Sequence, residues 1–152
     1  PVCRVPGVSG DGGGLMQTFL PHSDMCQSVR CLDYRRLGKQ RVEALQILNA
    51  LEGKSKGWTK HPATKMWRGY EPALRLYKDL CIDEWVRRGY KNTMKKDVLH
   101  RDVCLPAWLG DEGLHASHRS NLLRKDPDYY GQFGWSEPTD LPYIWPEETP
   151  RP

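Results

Sequence analysis

Arg36, Lys39, Gln40, Glu43 and Gln46 recur at three and four residues, the spacing that gathers side chains on one face of an α-helix. One carboxylate therefore stands among cations, with Arg35 and Arg41 close by in the chain. Such an acid is a poor phosphate contact, because it repels the polyanion that its neighbours attract. Its placement makes sense if it must reach a sugar or a base inside a bound duplex, where a carboxylate can move protons or stabilise developing positive charge. The ordinary alternative is a Lys39–Glu43 helix pair. With Lys preceding Glu it has the weaker orientation, and such pairs are worth only about 0.3–0.5 kcal/mol.

Two further clusters extend the basic character. Residues 57–68 (GWTKHPATKMWR) interleave Lys60, His61, Lys65 and Arg68 with aromatic rings, a composition suited to phosphate contact plus stacking on an exposed base. Core packing is the expected role of Trp58 and Trp67. His115, His118 and Arg119 fall together on a later helical segment. The two histidines have the i, i+3 spacing of metal ligands, but no CxxC or HExxH accompanies them, so neither a metal nor another cofactor is expected.

The elements that must position these groups are helical. An amphipathic segment runs from Ser23, as N-cap, to about Asp33, and a second helix from about Tyr34 to Leu51 buries Leu37, Ala44, Leu45, Leu48 and Leu51. Gly53 closes it, and a basic loop follows. His61-Pro62 opens a short helix over Ala63 to Tyr70. The next runs from Pro72 to Arg88, with Leu74, Tyr77, Leu80, Cys81 and Trp85 as its buried stripe and Gly89 beyond its end. Residues 90–106 read as loop. Glu112 to Lys125 forms a last helix with Leu114, His118, Asn121 and Leu122 on one side. Past Asp126-Pro127 the chain turns aromatic and proline-rich, as an extended segment wrapping a helical core would. No alternating run marks a sheet, so the fold class is all-α. The domain reading is a flexible arm over 1–15, a helical domain over 16–147 and a disordered tail over 148–152.

Composition sets the outer limits. The 152 residues fit one domain. No apolar run approaches the roughly 20 residues of a membrane span, and five cysteines in no framework spacing fit reduced thiols in a cytoplasmic setting. A net charge of +4 is modest, but its layout is not. Arg30 to Arg68 holds ten Lys/Arg against Asp33, Glu43 and Glu52, while 126–152 holds one Arg against six acids. That asymmetry suits a polyanion partner, the alternative being a solvated charged surface.

The ordered series Leu32-Asp33-Tyr34-Arg35-Arg36-Leu37-Gly38-Lys39-Gln40-Arg41-Val42-Glu43-Ala44-Leu45-Gln46-Ile47-Leu48, then residues 60–67 (KHPATKMW), 84–90 (EWVRRGY), 110–115 (GDEGLH) and Tyr129-Tyr130-Gly131, resembles the pyrimidine-dimer DNA glycosylases typified by bacteriophage endonuclease V and its bacterial relatives. The resemblance implies a helical domain that bends DNA and flips a nucleotide out of the stack. It also implies a chain-terminal α-amine that attacks the deoxyribose C1′, a glutamate that assists, and strand scission by β-elimination. An α-amine suits the task, since its reference pKa of about 7.7–8.0 leaves far more of it neutral near pH 7 than the about 10.4 of Lys. Glu43 matches the bacterial pattern of Lys, three residues, Glu, two residues, Gln, and Asp33 is the second candidate carboxylate. The segment resembling the family's amino terminus starts at Met16-Gln17-Thr18-Phe19, which makes the α-amine of Met16 the expected nucleophile. Lys39 and Pro1 are the alternatives. The DNA-binding set is Arg35, Arg36, Gln40, Arg41, Lys60, His61, Lys65, Arg68, His115, His118 and Arg119.

The same surface would serve a DNA-binding protein without catalysis, and the same pocket a diverged enzyme acting on a small molecule. Nicking of damaged but not intact duplex separates the first reading from both. Salt-dependent duplex binding separates the other two.

Overall fold

The computed structural model describes residues 16–146, so the expected arm over 1–15 and tail over 148–152 lie outside the described residues. Six α-helices follow in order: α1 (Met25–Cys31), α2 (Tyr34–Leu51), α3 (Pro62–Lys65), α4 (Glu71–Arg87), α5 (Glu112–Lys125) and α6 (Pro127–Tyr130). A 3₁₀ turn over Gly131–Phe133 follows α6, and no strand occurs among the described residues. The fold is all-α. No helix among the described residues is long and apolar enough to cross a membrane.

Local chemistry sets the helix ends. The α1 cap is Asp24, not Ser23, because its carboxylate accepts from both the Cys26 and Gln27 amides. Asp33 caps α2, and Asp111 caps α5 through the Gly113 and Leu114 amides. The left-handed Gly53 (φ 76°) follows α2 and Gly89 (φ 93°) follows α4. The short helix after His61 stops at Lys65 and not Tyr70, although successive turns carry the chain on to Tyr70.

Helices α2 and α4 make the central pair. Gly38 lets them meet closely, since a Cβ there would lie 2.8 Å from the Trp85 ring. Leu37, Ala44, Ile47 and Leu48 of α2 face Leu74, Tyr77 and Cys81 of α4 in one apolar core. Leu45, expected in that stripe, is exposed, and the buried face is instead rotated to include Gln40 and Glu43.

The rotation is explained by residues 16–20. They are buried in the core and have no regular secondary structure, so side chains must satisfy their backbone groups. Gln40 Oε1 accepts from the Phe19 amide at 2.8 Å, and Gln40 Nε2 donates to the Gln17 carbonyl at 2.7 Å. Tyr77 donates to the Phe19 carbonyl at 2.9 Å, and His118 Nδ1 accepts from the Leu20 amide at 2.9 Å. His115 Nδ1 lies 2.7 Å from the Leu20 carbonyl.

The C-terminal segment over 134–146 is non-helical, with a turn at 139–140, and is laced to α5. Ser120 Oγ accepts from the Leu141 amide, Ser117 Oγ from the Ile144 amide, and Asn121 Nδ2 donates to the Leu141 carbonyl. This lacing sets Tyr143 against Phe19 and His118, and Trp145 against His61.

Candidate active site

Glu43 sits where α2 meets the buried 16–20 segment. It is only 7% exposed, and its Oε1 accepts from Gln40 Nε2 at 3.0 Å. Lys39 Nζ lies 3.7 Å from the other oxygen. Burial pushes the carboxyl up from 4.5 to about 7, while Lys39 and the backbone amide of Gln17 pull against that rise. A carboxyl poised near neutrality can both give and take a proton under physiological conditions.

Gln40 fixes what lies next to the carboxylate. Its Nε2 donates both to Glu43 Oε1 and to the Gln17 carbonyl, and Gln17 follows Met16, whose side chain is buried in the core. Gln40 acts as a bracket, joining Gln17, Phe19, Tyr77 and Glu43 through its two terminal atoms. Tyr143 packs on the far side of the same segment, tilted against Phe19 at 6.3 Å and edge to face with His118 at 5.7 Å.

The remaining residues singled out in the sequence separate into cations that reach the surface, one structural acid and a third group spent inside the fold. Lys39 and Arg36 are half-buried at the edge of the site. Arg35, Lys60, Lys65 and Arg68 are exposed, as phosphate contacts must be. Asp33 is occupied structurally, since its carboxylate caps α2, pairs with Arg36 at 3.1 Å and accepts from the Tyr130 hydroxyl.

The third group needs correction as a DNA surface. Gln40, His115 and His118 are at most 1% exposed and are spent on the 16–20 backbone, so they have no area to offer a phosphate. Burial lowers the His118 pKa to about 3 and keeps that ring neutral. Arg119 is tied to Glu112, Glu137 and the Pro21 carbonyl. Arg41 lies over the Trp85 ring at 4.4 Å and bonds Asn92, holding the loop after α4. His61 is also buried, at 8% exposure, where its Nδ1 caps α3.

Trp67 lies in the core, where it donates to Thr18 Oγ1 at 3.0 Å, but Trp58 is 38% exposed. Tyr143 and Trp145 were missed as site residues, because nothing in their own segment shows which face of the core it wraps. Among the described residues there is no group of three or more His, Cys, Asp or Glu able to hold a metal ion.

A family model described as pyrimidine dimer DNA glycosylase matches residues 16–98, more than half of the chain. No curated protein and no solved structure matches.

Proposed function

The chain belongs to the pyrimidine dimer DNA glycosylase family, and from that premise we propose that its Glu43 site excises a damaged pyrimidine from double-stranded DNA and then nicks the strand. Family membership implies pyrimidine dimer glycosylase activity on DNA. The finer reading concerns the residues and the order of events, and one observation carries it. The raised carboxyl of Glu43 is tied through Gln40 Nε2 to the carbonyl of Gln17, the residue that follows Met16.

On this reading a monomer binds duplex across the exposed cations Arg35, Lys60, Lys65 and Arg68, and one nucleotide turns out of the stack towards Glu43. The α-amine of Met16, free on a chain that starts there, attacks C1′. The C1′–base bond breaks and its electron pair leaves with the base, which takes up a proton. Ring opening then gives an imine between Met16 and C1′. A base removes a proton from C2′, and the C3′–oxygen bond breaks with the phosphate as leaving group. Glu43 suits both transfers, because its carboxyl is divided between acid and base near pH 7. Lys39, at 3.7 Å, steadies the ionised form and carries the alternative amine.

The test uses a duplex carrying a single pyrimidine dimer, incubated with borohydride. The chain starting at Met16 should yield a reduced adduct on its α-amine, and a chain in which residue 15 precedes Met16 should yield none. Glu43→Gln should keep duplex affinity and lose base excision by roughly a hundredfold or more. Equal activity from both chains with the adduct on Lys39 would assign the amine to that lysine. Wild-type excision by E43Q would remove Glu43 from the chemistry.

A further inference from the structure

A row of rings leads away from Phe19, whose amide is held by Gln40, the residue that also bonds Glu43. Tyr143, tilted against Phe19 at 6.3 Å, lies 5.7 Å from Trp145. Trp145 meets His61 edge to face at 5.9 Å, and His61 meets Trp58 edge to face at 5.6 Å. Two of these rings, Tyr143 and Trp145, come from the strap laced onto α5 and lie outside the 16–98 match.

Two features of this row are unexplained by folding. The first is the hydrogen bonding of His61. Its Nδ1 accepts from the Ala63 amide at 2.9 Å, so the proton of the neutral ring sits on Nε2. That Nε2–H is buried and has no hydrogen-bond partner. The neighbouring indoles offer it at most a weak aromatic acceptor. Orphaned buried donors are uncommon and call for a reason. Thr64 Oγ1, one helical turn further on in the same segment, is likewise buried without a partner.

The second feature is Trp58. A bulky side chain at φ 68° is a genuine backbone outlier, where glycine would sit without strain. Trp58 is nonetheless 38% exposed, so core packing does not account for it. Strain of this kind collects at sites that clamp a ligand.

We propose that Trp58, His61 and Trp145 form the base-reading wall of the site, with His61 Nε2–H donating to a carbonyl oxygen of the excised pyrimidine. This inference rests on the glycosylase reading above and adds the residues that select the base. A pyrimidine such as thymine carries carbonyl acceptors on its edge and an apolar face, and the wall offers one fixed donor between two indoles. A purine amino group would bring a donor against the His61 donor. The exposed Trp58 is the ring that shifts to uncover Nε2.

The experiment separates base reading from the sugar chemistry, using a dimer-containing duplex and an abasic duplex with the chain that starts at Met16, wild type and variants alike. His61→Asn keeps a side-chain oxygen for the Ala63 cap and shortens the reach of the donor. It should release the dimer base roughly tenfold or more slowly, as for loss of one buried hydrogen bond. Abasic cleavage, which has no base to read, should be unchanged. Trp58→Gly should raise the melting temperature by relieving the φ strain, yet slow base release and leave abasic cleavage intact. Equal losses on both substrates would overturn the proposal in favour of a structural role, and so would wild-type base release by either variant. A wild-type protein inert on both substrates overturns the glycosylase reading, and this inference with it.

Discussion

If Glu43 is held near neutrality by burial, removing its charge should stabilise the protein, and only in one range of pH. The folded carboxyl lies at about 7 against 4.5 for the free side chain. Between those values the native state holds more protons than the unfolded chain, so stability falls as pH rises through the window. Below it the burial penalty vanishes, since both states are protonated. Above it the full cost applies, about 3 kcal/mol at about 1.4 kcal/mol per pH unit. Glu43→Gln, neutral throughout, should therefore exceed the wild type in stability at about pH 8 by about 3 kcal/mol more than it does at about pH 4. Urea unfolding of both proteins at the two pH values provides the assay. Other carboxyls titrate alike in both proteins and cancel in the comparison. An E43Q advantage that is the same at both pH values would refute the reasoning, because it would place the carboxyl in water or fully paired with Lys39.

Duplex affinity plotted as log K against log salt should have a slope of about −4 or steeper, from about five neutralised phosphates, and charge reversal at exposed Lys60, Lys65 or Arg68 should flatten it. A slope near zero would defeat the DNA-binding reading of this face. Gly38→Ala should lower stability by about 1 kcal/mol in urea unfolding, since a Cβ 2.8 Å from the Trp85 ring overpacks the α2–α4 contact by more than the helix gains from alanine. A more stable G38A would show that the ring yields freely.

The helices were legible where apolar spacing and end signals agree. Helix α2 runs from Tyr34 to Leu51 and α5 from Glu112 to Lys125, the bounds that pattern and caps indicate. The buried polar residues were not legible, because they serve a segment with no periodic signature of its own. Met16 to Leu20 is too short to read as an element, yet it threads the core and takes its hydrogen bonds from Gln40, Tyr77, His115 and His118. Gln40, His115 and His118 look like a polar surface only while that segment is unknown. Their position beside Leu37, Ala44, Leu114 and Leu122 was the available signal, since a polar residue inside an apolar stripe needs a buried partner. Glu43 was legible as a lone acid among cations, but not as a buried one. The placement of Tyr143 and Trp145 depends on Ser117, Ser120 and Asn121 lacing the strap to α5, a long-range pairing that spacing does not reveal.

The buried carboxyl bears directly on how one residue would act twice in the proposed mechanism. A duplex laid across α2 brings phosphate charge and excludes water, and both changes favour the protonated form of Glu43. A group already near 7 is then a neutral acid when the C1′–base bond must break, and its proton can go to the departing base. The imine that follows places positive charge next to the carboxyl and favours its ionised form, now a base for the C2′ proton. Lys39, 3.7 Å away, tempers the first shift and assists the second. A solvent-exposed glutamate, ionised throughout at neutral pH, would serve only the second step. The stability cost of burying Glu43 is, on this account, what equips it for the first.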